Sequence, residues 1–194
     1  MSHHNQIAVI QGSIRAGRIN DRVTAWVVRA MQQQGYSPDV IDPADPEFLP
    51  IQTGDEAAAA RLTARLEPAA AYVVVTPEYN HAAPGPLKTL IDSQKHVWQA
   101  KPVGFVSYGG ISGGLRAVEA LRPVFAELHA VTLRDTVSFA APWNRFDDSG
   151  RLTDPEDHAA ASAAMSHFGD RLRWWIAALG PARAASPYDR KKAA

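Results

Sequence analysis

The chain has 194 residues, 46% hydrophobic and 21% charged, enough to build one sizeable globular core. Its 20 basic and 20 acidic residues cancel, which leaves no electrostatic footprint for nucleic acid or an acidic membrane surface. The absence of cysteine excludes disulfides, thiolate nucleophiles and cysteine metal sites, the seven histidines show no metal spacing, and with no membrane-length apolar run and a polar start a cytoplasmic setting is expected.

A short apolar strand at residues 7–10 leads through a glycine-containing turn into an amphipathic helix that begins near Ile19 or Asn20. On that helix Ile19, Val23, Trp26, Val27, Ala30 and Met31 recur at helical spacing, and Gly35 stops it. A second strand is expected at 38–41, and Pro43, Pro46 and Pro50 make 42–53 a loop. Residues 56–66 form an alanine-rich helix that ends before Pro68. The continuous apolar run 71–76 is a strand buried on both faces. A helix at 85–95, a strand at 103–108, a helix at 113–128 and a strand at 131–139 follow. Pro123 should kink the fourth of these helices, at about 3 kcal/mol if unrelieved. Asp154 caps the last helix, Pro155 suits its first position, Glu156 and Asp157 complement its dipole, and Gly180-Pro181 should end it.

Five strands alternating with helices predict a doubly wound α/β sandwich: a parallel sheet with helices on both faces. Residues 1–180 form one domain and 181–194 a flexible tail.

The turn Gly12-Ser13-Ile14-Arg15-Ala16-Gly17-Arg18 presents backbone amides, a hydroxyl and two guanidinium groups at the start of a helix, the ingredients of a phosphate cradle. It is not a nucleotide-hydrolysing P-loop, because Arg18 and Ile19 stand where lysine and a magnesium-binding hydroxyl are needed. Nor is it the dinucleotide fingerprint, because residue 14 is Ile. A terminal monophosphate fits. The alternative is that Arg15 and Arg18 are solvated loop charges and Asn20 caps the helix.

In such sheets ligands bind beyond the carboxyl ends of the strands, where strand order reverses. Two more unusual loops fall on that edge. Residues 76–86 begin Thr76-Pro77-Glu78-Tyr79-Asn80-His81 and are stiffened by three prolines, Pro77, Pro84 and Pro86, suited to a flat heterocycle with donors and acceptors on its rim. Residues 107–114, Ser107-Tyr108-Gly109-Gly110-Ile111-Ser112-Gly113-Gly114, allow close backbone approach and an open face above a ligand.

At these three motifs, with Pro84-Gly85, Leu87-Lys88, Ile91-Asp92, Lys101-Pro102-Val103 and Arg116-Ala117, the chain resembles the NADPH-dependent FMN reductase family of the flavodoxin-like superfamily, which includes quinone, azo and chromate reductases. The resemblance spans about residues 6–140. It implies a flavodoxin-like three-layer sandwich with a five-stranded parallel sheet of order 2-1-3-4-5, and noncovalent FMN. NADPH or NADH is then the reductant, and the chain a homodimer or homotetramer. Hydride would pass from the nicotinamide to flavin N5 and on to a small acceptor such as free flavin, a quinone or an azo compound, by ping-pong, with no protein acid or base obligatory. On this resemblance Ser13, Arg15, Arg18 and Asn20 hold the FMN phosphate. Pro77, Glu78, Tyr79 and Asn80 line the ring and ribityl chain, and Ser107, Tyr108, Gly109 and Gly110 contact the pyrimidine end. His81 is a loop histidine within reach of a substrate or simply solvated, and Trp98 and the 143–146 loop are candidates for a lid or a subunit interface. Two other classes are an FMN-binding electron carrier of flavodoxin type and a flavin-dependent redox sensor without nicotinamide turnover. The arginines and zero net charge argue against the first.

Overall fold

β3 (Ala71–Pro77) is buried along its entire length, as a strand covered on both faces must be. It is central in a sheet completed by β1 (Gln6–Gln11), β2 (Ser37–Ile41), β4 (Pro102–Gly109) and β5 (Val131–Ala140). All neighbours pair in parallel in the order β2-β1-β3-β4-β5. This computed structural model describes residues 5–186 and 188. The polar start over 1–4 and the expected tail at 187 and 189–194 lie outside the described residues.

Alternation along each strand divides the core in two. Ile7, Val9, Val73, Val75 and Val106 face α1 (Asn20–Gln33) and α5 (Pro155–Ala185), which contribute Trp26, Met31, Phe168 and Leu172. Ala8, Ile10, Val74 and Phe105 face α2 (Glu56–Leu66), α3 (Gly85–Asp92) and α4 (Leu115–Glu127), which contribute Leu62, Leu90 and Phe125. The pairings Gln11↔Val75 and Thr76↔Ser107 bring the carboxyl ends of β1, β3 and β4 side by side, at the point where β1 passes chain direction to β2 on one side and β3 on the other. The fold therefore gathers the three unusual loops on one edge.

Three expectations need correction. α5 does not stop at Gly180-Pro181 but continues to Ala185. Arg183 donates to the Ala100 carbonyl at 2.6 Å, a tertiary contact that outweighs the local preference of both helix breakers. Trp98 is not an exposed aromatic: it is fully buried between Tyr72 and Phe125, and its indole N–H reaches the carbonyls of Ile91 and Gln94. α3 ends at Asp92, and a separate 3-10 turn, His96–Trp98, seats that tryptophan. α4 runs through Pro123.

Lys101 enters the same interior ahead of β4. Its ammonium donates to the Glu67 carbonyl at 2.8 Å and the Tyr72 hydroxyl at 3.1 Å. Burial, reinforced by the Arg183 charge, pulls its pKa down to about 8. Between pH 8 and the ordinary lysine range the unfolded chain holds a proton that the folded chain has lost, so stability rises with pH in that window. Thermal melts at pH 8 and pH 10 should show wild type gaining on the order of 2 kcal/mol relative to Lys101→Met. Below pH 8 the difference between the two should stay flat.

Candidate functional site

The site begins where β1 ends. Gly12 donates to the Val75 carbonyl at 2.8 Å and so continues the β1–β3 pairing one residue past the strand. A Cβ at Gly12 would lie 3.0 Å from Thr76 Cα and from the Val75 carbonyl, and 3.1 Å from Pro77 Cδ, so a side chain here would push the turn off β3. Asn20, fully buried at the first turn of α1, accepts the Gly12 and Ser13 amides at 3.2 and 3.0 Å and donates to Thr24 Oγ1 at 3.0 Å. It therefore does not cap the helix, whose N-cap is Ile19. It organises the turn from beneath. The amides of Ile14, Ala16 and Gly17 have no acceptor among the described residues, and residues 15–17 are exposed. Unpaired donors at a helix start form an anion site.

The two arginines have different surroundings. Arg15 lies 3.8 Å above the Tyr79 ring and has no carboxylate partner among the described residues. Arg18 is folded inward, bidentate to Asp42 at the end of β2, paired with Asp21 at 2.9 Å, and bonded to the Ser13 carbonyl. Arg18 is thus already matched by two carboxylates and ties β2 to the turn, while Arg15 has none among the described residues. Ser13 Oγ is 2.8 Å from the Tyr79 hydroxyl and accepts from the Arg15 amide, which joins the first loop to the second.

The second loop turns tightly. Tyr79 and Ala82 exchange both backbone hydrogen bonds, at 2.9 and 3.1 Å, around Asn80 and His81 in the left-handed region (φ 51° and 69°). Asn80 is exposed at the tip. The Glu78 side chain is buried and braced to the third loop: Ser112 Oγ donates to it at 2.8 Å, the Arg116 amide at 3.1 Å, and Arg116 Nε pairs with it at 2.7 Å. Burial alone would raise the Glu78 pKa, but these donors hold it below the ordinary value. Arg116 also reaches His81 Nε2 at 2.7 Å, and since a guanidinium can only donate, that nitrogen accepts.

In the third loop the Ser107 and Ser138 hydroxyls both donate to the Gly113 carbonyl, at 2.9 and 2.8 Å. Ser107 Oγ therefore holds the loop's return. Gly114 has a φ of 87°, and a Cβ there would lie 2.7 Å from the Tyr108 amide nitrogen. The three loops enclose a cavity of about 300 Å³ bordered by Arg15, Gly17, Pro77, Tyr79, Tyr108, Gly110 and, from the segment after β5, Trp143. The Tyr108 hydroxyl, buried at its border, has no hydrogen-bond partner among the described residues, and burial raises its pKa. The Gln11 side-chain oxygen Oε1, at the end of β1, is similarly without one among the described residues. Orphaned buried polar groups beside an anion-binding turn fit a ligand with an anionic end and a planar polar body. No cluster of candidate metal ligands occurs among the described residues.

Sequence reasoning named Ser13, Arg15, Arg18, Asn20, Pro77, Glu78, Tyr79, Asn80, Ser107, Tyr108, Gly109 and Gly110, and all lie on these three loops or the strand and helix ends that carry them. The side chains of Asn20, Glu78 and Ser107 are spent on loop geometry. Asp42, Ser112 and Gln11 were missed. Gln11 alone carried a signal, a polar residue closing an apolar strand.

A doubly wound α/β sandwich with unpaired helix-start amides and a cavity at its switch point has the form of a nucleotide- or flavin-binding protein. The NADPH-dependent FMN reductase family matches residues 5–144, and the chain belongs to that family. A quinone reductase of Pseudomonas putida KT2440 is 29% identical over 190 residues, spanning 91% of this chain and 97% of the relative. An NAD(P)H-dependent FMN reductase of Saccharomyces cerevisiae is 33% identical over 139 residues, 61% of this chain and 72% of the relative. Among solved structures, a flavoenzyme NAD(P)H:(acceptor) oxidoreductase from Paracoccus denitrificans shares the fold, with a TM-score of 0.69 and 22% identity over 90% of this chain and 98% of that one.

Asn20→Ala leaves the buried Ser13 amide without an acceptor, while Gly12 keeps the Val75 carbonyl, so urea denaturation should show a loss of about 2 kcal/mol, with binding of inorganic phosphate weakened in parallel. Unchanged stability would mean that the turn holds its shape without the asparagine.

Proposed function

We propose that the chain is an FMN-dependent NAD(P)H oxidoreductase that delivers reducing equivalents to a small acceptor such as a quinone, free flavin or azo compound. The observation that carries this reading is the run of unpaired amides at Ile14, Ala16 and Gly17 beside the unpaired charge of Arg15, at the end of β1 and open to the three-loop cavity. Family membership and the names of the relatives support it.

Bound FMN would supply two-electron redox chemistry, taking hydride from a nicotinamide and returning it to an acceptor. Ser13, Arg15 and the loop amides would hold its phosphate, and Arg18 and Asn20 keep those donors in place. Tyr79 and Pro77 would line the ring's side of the cavity, and the Tyr108 hydroxyl, without a partner among the described residues, would be free to bond it. Gly109 and Gly110 keep side chains out of the ring's path, and Glu78 sets the gap between the second and third loops through Ser112 and Arg116. None of these residues has to exchange a proton with substrate. We place the protein in the cytoplasm as a homodimer or homotetramer, a habit of the family it resembles; among the described residues no helix is long and apolar enough to cross a membrane.

The FMN-loaded protein, mixed anaerobically with NADPH or NADH in a stopped-flow spectrometer, should lose its flavin absorbance within the dead time to seconds. The ratio of rates gives donor preference. FMN that binds but is bleached by neither donor would move the assignment to an electron carrier or sensor.

A further inference from the structure

β5 ends at Ala140, and the chain turns through Ala141 at a φ of 46°, in the left-handed region that alanine seldom adopts. The turn is firmly anchored. Ala141 donates to the Gly109 carbonyl at 2.8 Å, and the amides of Asn144, Arg145 and Phe146 return to the carbonyls of Ala141 and Pro142. Phe146 is buried edge-on against Phe139, 5.0 Å between ring centres, and its strand-like bridge to Leu152 closes the segment. Arg145 pairs with Asp157 on α5 and lies over the Phe139 ring, 4.9 Å from its centre.

Within this frame Trp143 is 57% exposed, and its indole N–H has no acceptor among the described residues. It borders the same cavity as Pro77, Tyr79 and the Gly109-Gly110 backbone. Nothing lies within 4 Å of the place a Cβ would take at Gly110, so the cavity is open there. A strained turn that fixes a large apolar face toward water at the mouth of a cavity is unfavourable for an empty protein, and it suits one that receives a flat ring.

We infer that Trp143 is a stacking wall for the planar conjugated ring of a substrate, either the nicotinamide of the donor or the quinoid ring of the acceptor. It thereby helps to set which substrates the site admits. This rests on the oxidoreductase reading above.

The test uses the full FMN-loaded chain as wild type, Trp143→Ala and Trp143→Phe, with NADPH as donor and menadione as acceptor. Trp143→Ala should raise the KM of one ring substrate about tenfold, with FMN affinity held within about twofold and most of the loss recovered in Trp143→Phe. A rise confined to NADPH assigns the nicotinamide, and one confined to menadione assigns the acceptor. Unchanged KM for both overturns the inference, as does a fall in FMN affinity that accounts for the whole effect. A change in sedimentation on Trp143→Ala would also overturn it, showing the indole to be covered by a second copy. Difference absorbance on adding non-reducing NADP+ or menadione reads ring binding without turnover, so Trp143 can be judged even if wild type is bleached by neither donor. That lack of bleaching would count against the oxidoreductase reading alone.

Discussion

The site depends on one buried amide side chain. Asn20 accepts the Gly12 and Ser13 amides together and is fixed from behind by Thr24. The turn after β1 is thereby held in a shape in which its later amides cannot satisfy one another. An anion can then collect donors that were oriented during folding, so little ordering remains to oppose binding. The close seat of Gly12 against Val75 and Thr76 makes the same geometry dependent on the absence of a side chain.

From that turn the organisation spreads outward through polar contacts that each connect two loops. Ser13 reaches Tyr79, Glu78 reaches Ser112 and Arg116, and Gly113 receives two serine hydroxyls from β4 and β5. Glu78 is the strongest of these ties, because a buried carboxylate left without Ser112 and Arg116 would be costly. Arg18 works in the other direction, securing the turn to β2 through Asp42. The charges around the turn are therefore mostly neutralised in place, and Arg15 alone of its two arginines has no carboxylate partner among the described residues.

Much of this was legible in the sequence, for physical reasons. The apolar run at 71–76 read as a strand covered on both faces and 103–108 as a further strand, and the Asp154-Pro155 start of α5 announced itself through its cap, which accepts the Asp157 amide. The three loops were legible because glycine and proline state backbone requirements directly. Side-chain partnerships were not. Nothing local says that Arg18 will be taken by Asp42, 24 residues away, or that Glu78 will be met by Arg116, 38 residues on. Trp98 misled because nothing near it in the sequence shows that Tyr72 of β3 and Phe125 of α4 will close over it. The run-on of α5 past Gly180-Pro181 likewise depends on Ala100, a contact across the fold.

The central claim is that the turn over residues 12–18 recognises a terminal phosphate. Titration of the apoprotein with FMN and with riboflavin, followed by quenching of flavin fluorescence, tests it directly, because the two ligands differ only in that phosphate. Several charge-assisted hydrogen bonds at about 1.5–3 kcal/mol each predict FMN binding tighter by about a hundredfold or more, with the gap narrowing as salt is added. Equal affinity for the two would contradict the account.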